Sequence, residues 1–426
     1  MDKNESLNLL DNEIKKNNKW SLKKKICIGI LIFIGIIIIT IIIIAIIFFK
    51  AIAKTLEKAG YNEPWNDLYG NRTINIPYFK DNKIINTFKK NGINFKEEIG
   101  DINKGNDYQK NERNYYDLYI PYSSTKKKDK YNQIILFIHG GAWIEGQKED
   151  IEFLCSRYAK MGYITATMGY TLLLEKYKEY NIFRILDEIT SCIKSIKEEL
   201  NKQGFNEAKL EIAIGGISAG AHLALLYSYS MVNSSSIPIK FVIDYVGPVS
   251  LEPELWYKVA KDNVTLESIE PKDIDKAIND KNIVKIFDDC VLVGIMNLFL
   301  GKKYSDDDLK EMCENKIINV NNEKYKRLNN SVKYTYPIYY INHYTVPTLC
   351  EYGGNDNLVG VVQYKKMKEL SLKYGNNLVL VYMRYGSHGL ESYNTENGLY
   401  SMREMHYQIL NFSKTYFTKW IKYDNI

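Results

Sequence analysis

The chain has 426 residues, 45% hydrophobic and 25% charged, a composition ordinary for globular protein and long enough for one large domain with additions. Its net charge of +6 is small for that length, and its lysines are interleaved with Asp and Glu, so no basic stripe marks nucleic acid as a partner. The abundance of Ile, Asn, Lys and Tyr runs along the whole chain and singles out no surface.

In chain order, residues 1–25 form a basic tail, and "ICIGILIFIGIIIITIIIIAIIFF", Ile26 to Phe49, follows it without a charge or a proline. About 20 apolar residues at a rise of about 1.5 Å each cross a bilayer, whereas a core helix normally keeps a polar face. Lys15, Lys16, Lys19, Lys23, Lys24 and Lys25 precede the run, against Lys50, Lys54 and Lys58 after it. The positive-inside bias then predicts a single-pass signal anchor over 26–49, a cytoplasmic N-terminus and a catalytic domain outside the cytoplasm. A cleaved signal peptide is the rival, since Ala51 and Ala53 supply an A-x-A site, but the run exceeds a usual signal core.

Residues 50–90 are polar and mixed and read as a linker into a domain over 91–426. There, short apolar runs alternate with longer amphipathic ones, the pattern of a mostly parallel sheet flanked by helices. The expected strands are Tyr115–Pro121, Ile134–Gly140, Tyr163–Met168, Leu210–Gly216, Phe241–Gly247, Pro347–Gly354 and Asn377–Met383. Helical spacing marks Ile182–Leu200, Ala219–Met231, Val361–Leu372 and Leu399–Trp420. The stretch between the strands at Gly247 and Pro347 is too long for a simple connection, and about 251–335 is expected to be a helical cap insertion. With Cys27 in the apolar run, Cys155, Cys192, Cys290, Cys313 and Cys350 form an odd, widely spaced set that outlines neither a disulfide framework nor a metal site.

The chemistry centres on "GISAG", with Ser218 between an expected strand and an expected helix. A sharp strand-to-helix turn exposes the serine hydroxyl, and flanking glycines keep side chains out of the tight turn. Such a hydroxyl needs a base within hydrogen-bond reach. Of five histidines, His222 lies one turn into the helix after Ser218 and points away, while His343 and His406 read as structural. His388, in "YGSHGLE" after the last strand, reaches the C-terminal edge of the sheet and is the expected base. Asp356, in "EYGGNDNLV", is the orienting carboxylate on the same edge, and Asp244 its competitor inside a strand. "HGGAW" at His139 to Trp143 leaves the Gly140 and Gly141 N–H groups uncovered, and with the Ala219 N–H they form the expected oxyanion hole.

"HGGAW", "GISAG", "GGND" and "GSHG", in this order, resemble the α/β-hydrolase superfamily, specifically the HGG-motif esterase/lipase group related to hormone-sensitive lipase and the BD-FAE-type esterases. The similarity covers roughly residues 110–420. It implies an α/β-hydrolase fold and a serine hydrolase that cleaves carboxylic esters through an acyl-enzyme; with the apolar run at 26–49, the expected protein is a membrane-anchored esterase. Ser218 would be the nucleophile, Asp356 the acid and His388 the base, with no cofactor and no metal. Trp143 and Tyr170 are expected at the substrate pocket, although around Tyr170 only that residue matches the family's Asn-Tyr-Arg segment. The expected substrate is a small-molecule acyl ester or, from the expected location at a membrane, an ester of an envelope component, lipid or glycan. Formamidase or peptidase activity with the same triad, and a non-catalytic binding module on the same fold, stay open.

Overall fold

The central apolar runs become strands buried on both faces, because each alternates its side chains between two helical layers. In Asn132–Ile138, Ile134, Leu136 and Ile138 enter one core while Ile135 and Phe137 enter the other, all with no exposed surface. Burying each such side chain contributes about 1.5–3 kcal/mol, so register is strongly fixed here. The structure is a computed structural model and describes residues 65–78, 113–175, 178–259, 283–360, 362–383, 386–389 and 395–418. All of them belong to a compact unit spanning 59–426; a second unit, 1–58, lies outside the described residues.

Eight strands form one sheet: β1 Gly70–Pro77, β2 Tyr115–Pro121, β3 Asn132–Ile138, β4 Ile164–Met168, β5 Leu210–Ile217, β6 Ile239–Tyr245, β7 Thr348–Gly353 and β8 Leu378–Met383. Their spatial order is β1-β2-β4-β3-β5-β6-β7-β8. β1 and β2 are antiparallel, and β2 is antiparallel to β4; from β4 to β8 every pairing is parallel. This order makes the sheet that of an α/β-hydrolase. Part of the stretch read as linker, residues 70–77, is thus an edge strand.

Helices α1 Glu152–Lys160 and α8 Thr395–Tyr416 pack on one face of the sheet, where Leu154, Tyr158, Met405 and Ile409 meet Phe137 and Phe241. On the other face lie α2 Ile182–Lys202, α3 Ala219–Ser230 and α7 Val362–Tyr374. Between β6 and β7 the chain adds α4 Asp289–Phe299, α5 Asp306–Met312 and α6 Glu323–Val332. Their starts are capped by Asp288, Ser305 and Asn322, whose side chains accept the first free N–H groups. A disulfide joins Cys290, at the start of α4, to Cys313 just after α5. No disulfide framework is expected from the cysteine spacing; the fold nevertheless brings together this one pair, 23 apart in sequence.

The membrane assignment is also corrected. Among the described residues no helix is long and apolar enough to cross a membrane. The longest of them, α2 and α8, are amphipathic pieces of the fold that carry charged residues along their length, as in Lys194, Lys197 and Glu198 of α2. Residues 26–49, on which the assignment rested, lie outside the described residues. The transmembrane helix, the signal anchor, the membrane as partner and the extracytoplasmic placement are therefore withdrawn.

Candidate active site

Ser218 is the single residue between β5, at the centre of the sheet, and α3, whose N-cap it is, with φ 54° and ψ −118°, a backbone conformation that L-residues rarely adopt. Such strain costs roughly 1–3 kcal/mol and persists where the surroundings over-determine it. Here they do. A Cβ on Gly216 would lie 2.3 Å from the Gly220 carbonyl carbon, and one on Gly220 would lie 2.1 Å from Ile138 O. The two glycines of "GISAG" thus let the strand, the turn and the helix close on one another, leaving Ser218 partly exposed at the top.

The loop after β3 runs directly against this turn. A Cβ on Gly140 would come within 2.9 Å of Ile217 O and 3.4 Å of the Ser218 Cβ, so Gly140, the first of the two expected oxyanion glycines, enters beside the serine. Gly141, Ala142 and Trp143 then follow with φ of 110°, 49° and 64°, three successive left-handed residues. The turn is held by Ile144 N and Glu145 N, which both donate to Gly141 O at 3.0 Å, and by Leu173 N, which donates to Trp143 O at 2.9 Å. Ala219, the third expected donor, is buried at the first position of α3.

Asp356 and His388 are brought together on the loops after β7 and β8. His388 Nδ1 lies 2.8 Å from Asp356 Oδ2, and Oδ1 of the same carboxylate accepts from Leu358 N at 2.7 Å and Val359 N at 2.8 Å. The two loops are joined through their backbones: Gly354 N donates to Met383 O at 2.8 Å and Asn355 N to Gly386 O at 2.9 Å. With β5, β7 and β8 parallel, Ser218, Asp356 and His388 all leave the same edge of the sheet.

The competing residues are committed elsewhere. Asp244 is fully buried, with Oδ1 accepting from Gly247 N at 2.7 Å and Oδ2 2.9 Å from the Tyr352 hydroxyl, which also contacts Gly247 O. One phenol proton cannot serve both acceptors. The network is complete when Asp244 is protonated and donates to Tyr352, consistent with burial pushing its carboxyl up to about 7. His139 is buried with Nδ1 2.7 Å from Gly140 O, and burial pushes its imidazole down to about 4. His343 binds Tyr374 O, and His406 packs beside Tyr158 in α8.

Trp143 and Tyr170, expected at the substrate pocket, are both buried. Tyr170 has no exposed surface; its ring stacks on His139 at 4.2 Å and its hydroxyl donates to His139 O at 3.2 Å. Trp143 is 5% exposed, and its indole N–H donates to His222 Nδ1 at 3.2 Å. Buried indole and phenol groups need acceptors, and these find theirs within the frame of the site. The partner role of His222 has no signature in the sequence beyond its place one helical turn after Ser218.

A model of the BD-FAE family matches residues 116–370, more than half of the chain. The chain belongs to the BD-FAE family. It is an α/β-hydrolase of the esterase/lipase type. Among curated proteins it is similar to a probable isoprenylcysteine alpha-carbonyl methylesterase of Oryza sativa subsp. japonica, 31% identical over 112 residues that make up 26% of this chain and 25% of that protein. The chain thus aligns with about a quarter of the length of that relative. Among solved structures it is similar in fold to a truncated carbohydrate esterase from gut microbiota, with a TM-score of 0.52, 15% identity and coverage of 82% of this chain and 98% of that one. Esterase B from Lactobacillus rhamnosis (HN001) matches with a TM-score of 0.50, 15% identity and coverage of 86% and 96%.

Proposed function

We propose that this BD-FAE family member hydrolyses carboxylic esters with Ser218 as nucleophile, His388 as base and Asp356 as the carboxylate that orients it. The observation that carries the reading is the strained Ser218 beside the Gly140 loop, with the His388–Asp356 pair on the same sheet edge. The reaction class rests on the family match and is consistent with the esterases named among the similar proteins.

Ser218 Oγ attacks the ester carbonyl while its proton passes to His388 Nε2; the N–H groups of Gly140, Gly141 and Ala219 receive the negative oxygen. The tetrahedral intermediate collapses, the alkoxide leaves with the proton from His388, and an acyl-serine remains. Water, deprotonated by His388, repeats the sequence and releases the acid. Asp356 keeps the proton on Nδ1, so that Nε2 faces the serine as an acceptor, and stabilises the imidazolium that forms.

The substrate class is a small acyl ester. Rates on p-nitrophenyl acetate, butyrate and octanoate, set beside the matching anilides and an N-formyl arylamine, test the reading. Ester cleavage that disappears in Ser218→Ala supports it; faster anilide or formamide cleavage moves the assignment to amide hydrolysis by the same groups.

A further inference from the structure

His222 lies on α3 one turn beyond Ser218, its N–H bonded to Ser218 O at 3.0 Å, and its side chain is 2% exposed. Both ring nitrogens are occupied. Nδ1 is 3.2 Å from the Trp143 indole nitrogen, which can only donate, and Nε2 is 2.8 Å from Thr335 O, which can only accept. The hydrogen bonds therefore fix one neutral tautomer, with the proton on Nε2. The lone pair on Nδ1 is committed to Trp143, which removes His222 as a base for Ser218 on grounds of geometry.

The same ring touches three parts of the molecule. Trp143 belongs to the left-handed turn that carries Gly140 and Gly141; Thr335 follows α6; and Phe299, the last residue of α4, packs its ring edge-on to Trp143 at 4.7 Å and tilted to His222 at 5.4 Å. Three successive left-handed residues, two of them with side chains, do not hold that shape unaided. Their fixings are the backbone bonds of the turn and, through the indole, His222.

We propose that His222 is a positioning residue for the oxyanion loop: by accepting the Trp143 N–H it fixes the Gly140–Trp143 turn relative to the helix that carries Ser218. The inference rests on the reading of Ser218 as the nucleophile. It assigns the residues between β6 and β7 a part in the chemistry, because Thr335 and Phe299 set the orientation of the His222 ring. A positional error of about 1 Å in such a site costs on the order of 10² in rate, so the effect belongs in kcat.

The test uses the full chain and compares kcat and KM on p-nitrophenyl acetate for His222→Asn, His222→Gln, His222→Leu and Trp143→Phe. Asn places an acceptor oxygen where Nδ1 lies, whereas Gln reaches toward Thr335 and leaves the indole without its acceptor. We expect His222→Leu to lower kcat by ~10² with KM within about threefold. His222→Asn should recover roughly tenfold or more of that loss, and Trp143→Phe added to His222→Leu should cost nothing further. Should the Leu variant not fold, the Asn and Gln variants decide, with Asn expected to be the faster. Equal kcat for Asn and Gln, or additive losses for Trp143→Phe and His222→Leu, would overturn the inference. Ser218→Ala runs alongside: if it keeps its activity, the nucleophile reading fails; if it is inactive while the His222 variants keep wild-type kcat, the positioning role alone fails.

Discussion

His388 Nδ1 sits 2.8 Å from one oxygen of Asp356, while the other oxygen of that carboxylate is held by the N–H groups of Leu358 and Val359. The two halves of the carboxylate thus have separable tasks, one toward the imidazole and one toward its own loop. Asp356→Asn retains an oxygen for Leu358 and Val359 and turns its NH₂ group toward His388. Nδ1 must then accept, the ring proton moves to Nε2, and the base can no longer take the serine proton. We expect kcat to fall by ~10⁴ while the melting temperature stays near wild type. A loss below about tenfold would remove Asp356 from its role.

Asp244, the rival carboxylate, is expected to show itself in stability and not in the reaction. Burial raises its folded pKa from 3.8 to about 7, so its contribution to stability is complete below 3.8 and is lost as pH rises through 7. Between those limits the loss is about 1.4 kcal/mol per pH unit. Asp244→Asn keeps an acceptor for Gly247 N and a donor for Tyr352 without titrating. In urea unfolding from pH 4 to pH 8.5, the wild type should lose stability relative to Asp244→Asn up to about pH 7, and the difference should then level off. A difference constant across the range would show that Asp244 stays ionised in the fold.

The histidines act with the opposite sign. Burial pushes His139 and His222 down to about 4 from an ordinary 6.5, so the unfolded chain binds the extra protons between those values. Stability should therefore decline as pH falls from 6.5 to 4, and His222→Asn should reduce that slope by about one proton, again read from urea midpoints. An unchanged slope would place the His222 proton elsewhere.

The Cys290–Cys313 bridge closes a loop across a separation of 23 residues in the segment that supplies Phe299. Chain entropy puts its contribution at about 3 kcal/mol. Replacing both cysteines by serine should lower the urea midpoint, and dithiothreitol should shift the wild type by the same amount while leaving the double variant alone. No response of the wild type to reductant would mean that the pair is not bonded in solution.

How far the sequence reaches is set by the kind of contact. β3 was legible because a doubly buried parallel strand reads as one apolar run, Ile134 to Ile138. β1 was not, because "GNRTINIP" lies at the sheet edge with Arg72, Thr73 and Ile74 partly or fully exposed, and its polar composition reads as linker. The pairing of Asp356 with His388 follows from two loops on one edge, which chain order already suggests. The bonds of His222 to Trp143 and Thr335 span 79 and 113 residues, and no local pattern announces them. The same is true of the bridge between Cys290 and Cys313.

Covalent labelling is the direct test of Ser218 as the nucleophile. The full chain is treated with a fluorophosphonate and digested, and the modified peptide is located by mass spectrometry. One adduct is expected, on Ser218, formed in step with the loss of p-nitrophenyl acetate hydrolysis and absent from Ser218→Ala. An adduct on another residue, or hydrolysis that survives in Ser218→Ala, would contradict that assignment.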